Sequence, residues 1–504
     1  MLRAVAFAVC LALAAAVPAG ATAVVTPSDA GAPWGTADRA GLRADLDALF
    51  AADPGVRGAH AGLLAVDPRD GTVLYERLAD EAFVPASTLK LLVGAAALAQ
   101  LGAGYRFHTV ALLSAVPVAG VERGPIVVQG GGDPLLGAAD LDGLAAAAYA
   151  AGVRSFAGAP AVSVDDSLFE RAPYPPGWVW DDFPYGYAAP VSAASFEENA
   201  LHVVARAGSH EGDPAVVTAA GVAVPAAAAC PAGAGLRVAA AVTTGRAGTD
   251  STLDAAWPEP GCILLTGAVP AGGSDDLDAA VPNPRARLAG AVRAALVAHG
   301  IALSAGDAEG DEPYAGPPAG TVLRPSWAHD SPPLQAMLGT MWENSDNLLA
   351  ECLLRTLSVY HAGRPGTTAD GVAAELDYLK AIGVAPGAVS LHDGSGLSIY
   401  DRATPRALVA LLSALWKGPT RPTVLAALPV AAVRGTLADA FAGTPAAGRI
   451  FAKTGSMMHV RALAGYGATQ SHGPVAFALL VDDWDGDPAA LGAFRGAVVS
   501  RLVR

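Results

Sequence analysis

Two stretches with mixed helical and extended periodicity, held apart by a tract of different texture from about 109 to 325, constrain this chain more than any other feature. In the first, Thr36 to Ala52 carries Leu42, Leu46, Leu49 and Phe50 at helical spacing. Ala59 to Val66 and Thr72 to Arg77 read as strands around an Asp67-Pro68-Arg69-Asp70-Gly71 turn, and Ala86 to Leu101 is apolar and long enough for a buried helix. In the second, helical spacing returns at Leu334 and runs through 347–360, 372–382 and 404–416. Residues 449–454, 460–468 and 475–481 then read as strands whose short connections favour antiparallel pairing, and an amphipathic helix closes the chain at 489–504. Between the stretches, strand-like runs at 125–129, 162–164, 201–205 and 262–265 alternate with loops rich in Gly, Pro and Ala. The expected fold class is therefore α/β and multidomain: one α/β unit with an antiparallel sheet, assembled from both ends and split by a long β-rich insertion. With 504 residues the chain has room for two or three domains.

The first residues read as an export signal. Arg3 precedes an apolar run from Ala4 to Val17, and Ala21-Thr22-Ala23 is a small-x-small cleavage pattern, so residues 1–23 are expected to be cleaved off and the protein exported to the periplasm or another extracytoplasmic cell-wall space, with loose membrane association left open. An uncleaved anchor is the alternative. Residues 24–35 look like a flexible leader. Apolar residues make up 52 % and charged residues 16 %, so a large core is available, and a formal net charge of −15 argues against a nucleic-acid partner. Of four cysteines, Cys10 leaves with the signal. Cys230 and Cys262 could pair in an oxidising compartment, whereas Cys352 sits in an apolar helical run as a buried small hydrophobe. The histidines show no metal-ligand spacing, so neither a metal nor a cofactor is expected.

Lysine is scarce. It supplies only four of 32 basic residues, at 90, 380, 417 and 453. Where arginine serves as the general cation, a retained lysine is a candidate for work arginine cannot do, such as giving up its proton. Lys380 and Lys417 lie in polar stretches. Lys90 belongs to Ser87-Thr88-Leu89-Lys90, where i,i+3 spacing at a helix start brings the amine to the hydroxyl. A serine is a weak nucleophile until a base takes its proton, and a buried lysine amine can be that base. Alone, the pattern is also satisfied by Ser87 as a helix N-cap. Ser345-Asp346-Asn347 and Lys453-Thr454-Gly455-Ser456 are equally weak alone. In the second of these, glycine would leave room for a substrate backbone along a strand edge. The aromatic residues Trp178, Trp180, Tyr185 and Tyr187 cluster before Pro190, which loop packing would explain.

Together and in this order, S-x-x-K, S-x-N and K-T-G are the motif set of penicillin-binding proteins and serine β-lactamases. The wide gap between the first two resembles the D-Ala-D-Ala carboxypeptidase/endopeptidase family of low-molecular-mass class C penicillin-binding proteins, peptidase family S13. Gly130–Leu135, Asp165–Phe169, Pro176-Gly177-Trp178, Asn199, Asp393-Gly394-Ser395-Gly396-Leu397-Ser398, Leu428-Pro429-Val430 and Gly435-Thr436-Leu437 match the pattern of that family. The resemblance implies a discontinuous penicillin-binding domain at 36–108 and 330–504. It also implies an inserted domain at 109–128 and 194–329, and a third domain at 129–193 within the second.

The resemblance further implies a serine peptidase that cleaves peptidoglycan peptides ending in D-Ala-D-Ala and is inhibited by β-lactams. Ser87 would attack with Lys90 as base, and the N–H groups of Ser87 and Ser456 would bind the oxyanion. Ser345 would relay a proton to the leaving nitrogen, with Lys453 nearby holding the electrostatics, and Asn347 would bind the substrate amide. Lys453, Thr454 and Ser456, with Gly455, would receive the terminal carboxylate. Two positions depart from the pattern: Ile399 stands where Arg is frequent after Gly-Leu-Ser, and Ser456 where Thr is common. A β-lactamase or esterase on the same fold would need fast deacylation, yet the E-x-x-L-N stretch of class A β-lactamases is missing, since Glu197-Glu198-Asn199 has the wrong order. A non-catalytic wall-binding protein would have no use for Lys90.

Overall fold

The computed structural model describes residues 22–113, 117–158, 160–232, 235–304, 314, 316 and 322–504. Residues 1–21, which hold most of the expected export signal and Cys10, lie outside the described residues.

The central sheet takes its strands from both ends of the chain. Its order is Ile450–Met457, Val460–Gly467, Val475–Asp482, His60–Val66, Val73–Arg77, antiparallel throughout. Val475–Asp482 lies in the middle and is buried on both faces, which explains why it is apolar without alternation. The period-2 pleat sorts its side chains: Val475, Phe477, Leu479 and Val481 join one core, and Ala476, Ala478 and Leu480 the other. The first core is closed by the helices Thr36–Ala52 and Pro488–Leu502, through Leu46, Phe494 and Val498. The second is closed by the helices Lys90–Gln100, Asn347–Ala362 and Pro405–Lys417. Full burial of each such Leu or Phe contributes about 1.5–3 kcal/mol.

Residues 108–330 build separate sheets. In one, Arg324–Asp330 and His108–Leu113 pair where the chain leaves and returns, beside Ile126–Gln129 and Val162–Asp165. This region is more helical than its texture predicts. Ala138–Ala150 and Pro284–Ala298 are helices packed together in a third core through Leu141, Leu144, Leu288 and Val292. Their alanine-rich faces give weak helical periodicity, so the sequence pattern hides them. Cys230 and Cys262 form a disulfide, and Cys352 is free and buried.

Residues 24–35 are not a loose leader. Val25 N donates to Gly448 O at 2.9 Å, and Asp29 pairs with Arg421 at 2.8 Å and accepts from Trp416 Nε1 at 2.9 Å. Arg69 donates to the carbonyls of Asp29 and Gly31, and Trp34 stacks on His472. Each of these partners lies far away in sequence, so the segment's own composition gives no sign of them.

Candidate active site

Ala86–Leu89 forms one 3₁₀ turn that runs straight into the Lys90–Gln100 helix. Ala86 is held at φ 45°, a left-handed conformation that non-glycine residues adopt at some cost and that clusters at functional sites. Ser87 caps no helix. Its Oγ instead receives the Lys90 amine at 2.9 Å, and its side chain is half-buried.

Ser345 and Asn347 arrive from the start of the Asn347–Ala362 helix, whose N-cap is Asp346 accepting from Leu349 N at 2.9 Å. Ser345 is itself left-handed at φ 61°. The Asn347 amide bridges: Oδ1 accepts from Lys90 Nζ at 2.5 Å, and Nδ2 donates to Tyr187 O at 2.6 Å. These partners fix the amide orientation, because an ammonium only donates and a carbonyl only accepts. One hydrogen on Nδ2 and one lone pair on Oδ1 stay uncommitted.

Lys453, Thr454, Gly455 and Ser456 lie on Ile450–Met457, the edge strand of the central sheet, and therefore present an unpaired strand edge. Lys453 Nζ donates to Ser345 Oγ at 2.9 Å and to Thr454 O at 2.9 Å, and Thr454 Oγ1 donates to Thr436 Oγ1 at 2.8 Å. Ser456 is exposed. Gly455 has a reason other than the expected one: a Cβ there would stand 2.8 Å from Pro85 O and 3.0 Å from Ala86 Cβ. The room it leaves is filled by the Ser87 turn, which can approach the strand only because position 455 has no side chain.

All three motifs thus meet at one place, joined by the contacts Ser87–Lys90–Asn347 and Lys453–Ser345. Burial pulls the Lys90 ammonium down from its ordinary 10.5 to about 8, opposed in part by the charges of Asp393, Asp346 and Glu351. Burial, then the positive charge of Lys90, holds Lys453 well below the ordinary lysine value. Lys90 and Lys453 are fully enclosed, whereas the other two lysines, Lys380 and Lys417, are exposed on helix ends.

One part of the site has no role in the sequence reading, although Trp178 and residues 393–398 lie within the matched stretches. The third acceptor of Lys90 Nζ is the carbonyl of Ser395, at 2.8 Å. The turn carrying it is wound around two buried carboxylates. Asp393 accepts from Gly396 N at 2.7 Å, Ser398 N at 2.8 Å, Ser395 Oγ at 3.1 Å and Trp178 Nε1 at 2.8 Å. Glu351 Oε1 accepts from Gly394 N at 3.0 Å and Ser395 N at 2.8 Å. Burial, then the charge of Asp393, raises Glu351 to about 8. A charged residue inside a Gly/Ser turn is the sequence signal for such an arrangement. Trp178 is buried against that turn, and Trp180 stands 77 % exposed.

The family model for D-Ala-D-Ala carboxypeptidase 3 (S13) matches residues 42–502. A D-alanyl-D-alanine carboxypeptidase of Actinomadura sp. (strain R39) is 34 % identical over 477 residues, covering 92 % of this chain and 84 % of that protein. The D-alanyl-D-alanine carboxypeptidase DacB of Haemophilus influenzae is 25 % identical over 431 residues, covering 85 % of this chain and 86 % of its own length. The crystal structure of penicillin binding protein 4 from Haemophilus influenzae superposes with a TM-score of 0.77 at 25 % identity, over 91 % of this chain and 99 % of that one. A second structure of that protein, complexed with a β-lactam, superposes with a TM-score of 0.71 at 24 % identity, covering 91 % and 99 %. With the match running over nearly the whole chain and the three motifs in mutual contact, this chain belongs to the D-Ala-D-Ala carboxypeptidase 3 (S13) family and is a serine-type D-Ala-D-Ala carboxypeptidase.

Proposed function

We propose that the enzyme hydrolyses the terminal D-Ala–D-Ala bond of peptidoglycan stem peptides, and the equivalent bond of cross-links, through an acyl-enzyme on Ser87. Lys90 takes the Ser87 proton as Oγ attacks the penultimate D-Ala carbonyl. The N–H groups of Ser87 and Ser456 receive the oxyanion; losing one such donor costs about 10²–10³ in rate. Ser345, held by Lys453, returns a proton to the departing D-Ala nitrogen, and water then releases the acyl group. Asn347 binds the substrate amide with its uncommitted positions. Thr454 and Ser456, beside Gly455 and Lys453, receive the terminal carboxylate. β-Lactams, whose strained amide stands in for the scissile bond, acylate the same hydroxyl.

The observation that carries this reading is the amine of a fully buried lysine 2.9 Å from a half-buried serine hydroxyl. Ile399 and Tyr400, following the Asp393–Ser398 turn, are exposed and apolar or aromatic, so a charged stem-peptide terminus finds no cation at position 399. The discontinuous boundaries, 36–108 with 330–504, 109–128 with 194–329, and 129–193, are part of the proposal, as is export by the segment at 1–23. Among the described residues no helix is long and apolar enough to cross a membrane. The test is incubation with a defined pentapeptide and quantification of free D-Ala. Wild type should release it and Ser87→Ala should not; release by the variant would place the nucleophile elsewhere.

A further inference from the structure

The three acceptors around Lys90 Nζ are not equivalent. As a neutral amine, Nζ carries two hydrogens and one lone pair. Asn347 Oδ1 and Ser395 O can only accept, so they occupy the two hydrogens. Ser87 Oγ is the only partner of the three that can donate, so the lone pair faces it. The aim of the base is therefore set by wherever Asn347 Oδ1 and Ser395 O are held.

Both are held from behind by one segment, 176–187, which belongs to the insertion rather than to the flanking unit. Asn347 Nδ2 donates to the Tyr187 carbonyl at 2.6 Å. Trp178 Nε1 donates to Asp393 at 2.8 Å, and Asp393 gathers the turn that presents the Ser395 carbonyl. The same turn is pinned again where Ser398 Oγ donates to Pro176 O at 2.8 Å and Ile399 N to Gly177 O at 3.1 Å. Asp393 accepts four hydrogen bonds there, each from an N–H or O–H donor.

We propose that segment 176–187 of the insertion aims the general base, with Trp178 and Asp393 as positioning residues that fix the Ser395 carbonyl and hence the direction of the Lys90 lone pair. This gives the insertion a part in the chemistry beyond packing, and it rests on Lys90 being the base. The titratable groups around Lys90 are Asp393 from the 393–398 turn, Asp346 and Glu351 from the Asn347–Ala362 helix and its cap, and Lys453 from the edge strand.

The test is the pH profile of the second-order rate constant for acylation by benzylpenicillin, in wild type, Trp178→Phe and Asp393→Asn. Trp178→Phe removes one hydrogen bond and no charge, so acylation should slow by about tenfold with the acid limb unmoved, as misaligned reacting groups do. Asp393→Asn removes a negative charge beside the ammonium, so its acid limb should move to lower pH while the plateau falls. Trp178→Phe within about twofold of wild type would overturn the proposal, since orientation effects of this kind are larger. So would a slowed Asp393→Asn with an unmoved acid limb, which would reduce Asp393 to a packing role. If Asp393→Asn does not fold, Trp178→Phe decides alone. A wild type that is not acylated would sink the reading of Lys90 and Ser87 itself, a result distinct from either.

Discussion

The pH dependence of acylation follows directly from the enclosure of Lys90. An ordinary lysine at pH 7 offers free amine in about 3 of 10,000 molecules, whereas one drawn down to about 8 offers it in about a tenth, a gain of about 300-fold. The sign follows from the cause: burial disfavours the ammonium, so the base is lost as pH falls. Stopped-flow acylation by benzylpenicillin should therefore rise about tenfold per pH step from 5 to 7 and level off above about 8. Lys90→Arg keeps the charge but supplies no base at any of these values, and acylation should drop by about 10²–10⁴. Circular dichroism at each pH separates loss of base from loss of fold. A profile flat from pH 5 to 9, or one still climbing beyond 10, would refute the reasoning that burial tunes this amine.

Gly455→Ala should push the Ser87 turn off the edge strand, because the added Cβ meets Pro85 O at 2.8 Å; acylation by penicillin should slow and thermal unfolding register a loss of about 1–3 kcal/mol, whereas unchanged values would mean that the turn yields freely. Glu375 is fully buried, its pKa is raised well above 4.5 by burial, and neither carboxyl oxygen has a hydrogen-bond partner among the described residues. Below pH 4.5 folded and unfolded chains are both protonated there. Above it the folded chain must retain a proton that the unfolded chain releases, so stability is lost with rising pH. Glu375→Met should therefore stabilise by about 1–3 kcal/mol at pH 8 and by less at pH 4.5, read from urea midpoints; an equal gain at both would refute the assignment. Replacing both Cys230 and Cys262 with Ala opens a loop with a sequence separation of 32 and should cost about 4 kcal/mol on the chain-entropy account, with penicillin acylation of the remaining folded protein unaffected. Loss of acylation at full fold would instead tie that bridge to the Ser87 site.

The central sheet and its covering helices were legible because each rests on local pattern, and the joining of the three motifs because their order resembles a known family. The run at 475–481 reads as a strand, and four lysines among so many arginines single out two positions for chemistry. What was not legible depends on partners distant in sequence. The Ala138–Ala150 and Pro284–Ala298 helices carry alanine all round, so their buried leucines do not single out one face in the sequence. The segment at 24–35 looks free until Arg69, Arg421 and Gly448 come to it. Gly455 was assigned to the substrate, although the atoms that need its space belong to Pro85 and Ala86. Asp393 and Trp178, 215 residues apart, meet only in the folded chain, and the carbonyl they position has no side-chain signature at all.

The central claim is that the hydroxyl at position 87 becomes acylated. Wild-type protein treated with benzylpenicillin, digested and mapped by mass should carry a single penicilloyl adduct, on the peptide containing Ser87, and Ser87→Ala should carry none. An adduct on another residue, or an equal adduct on the variant, would contradict the account.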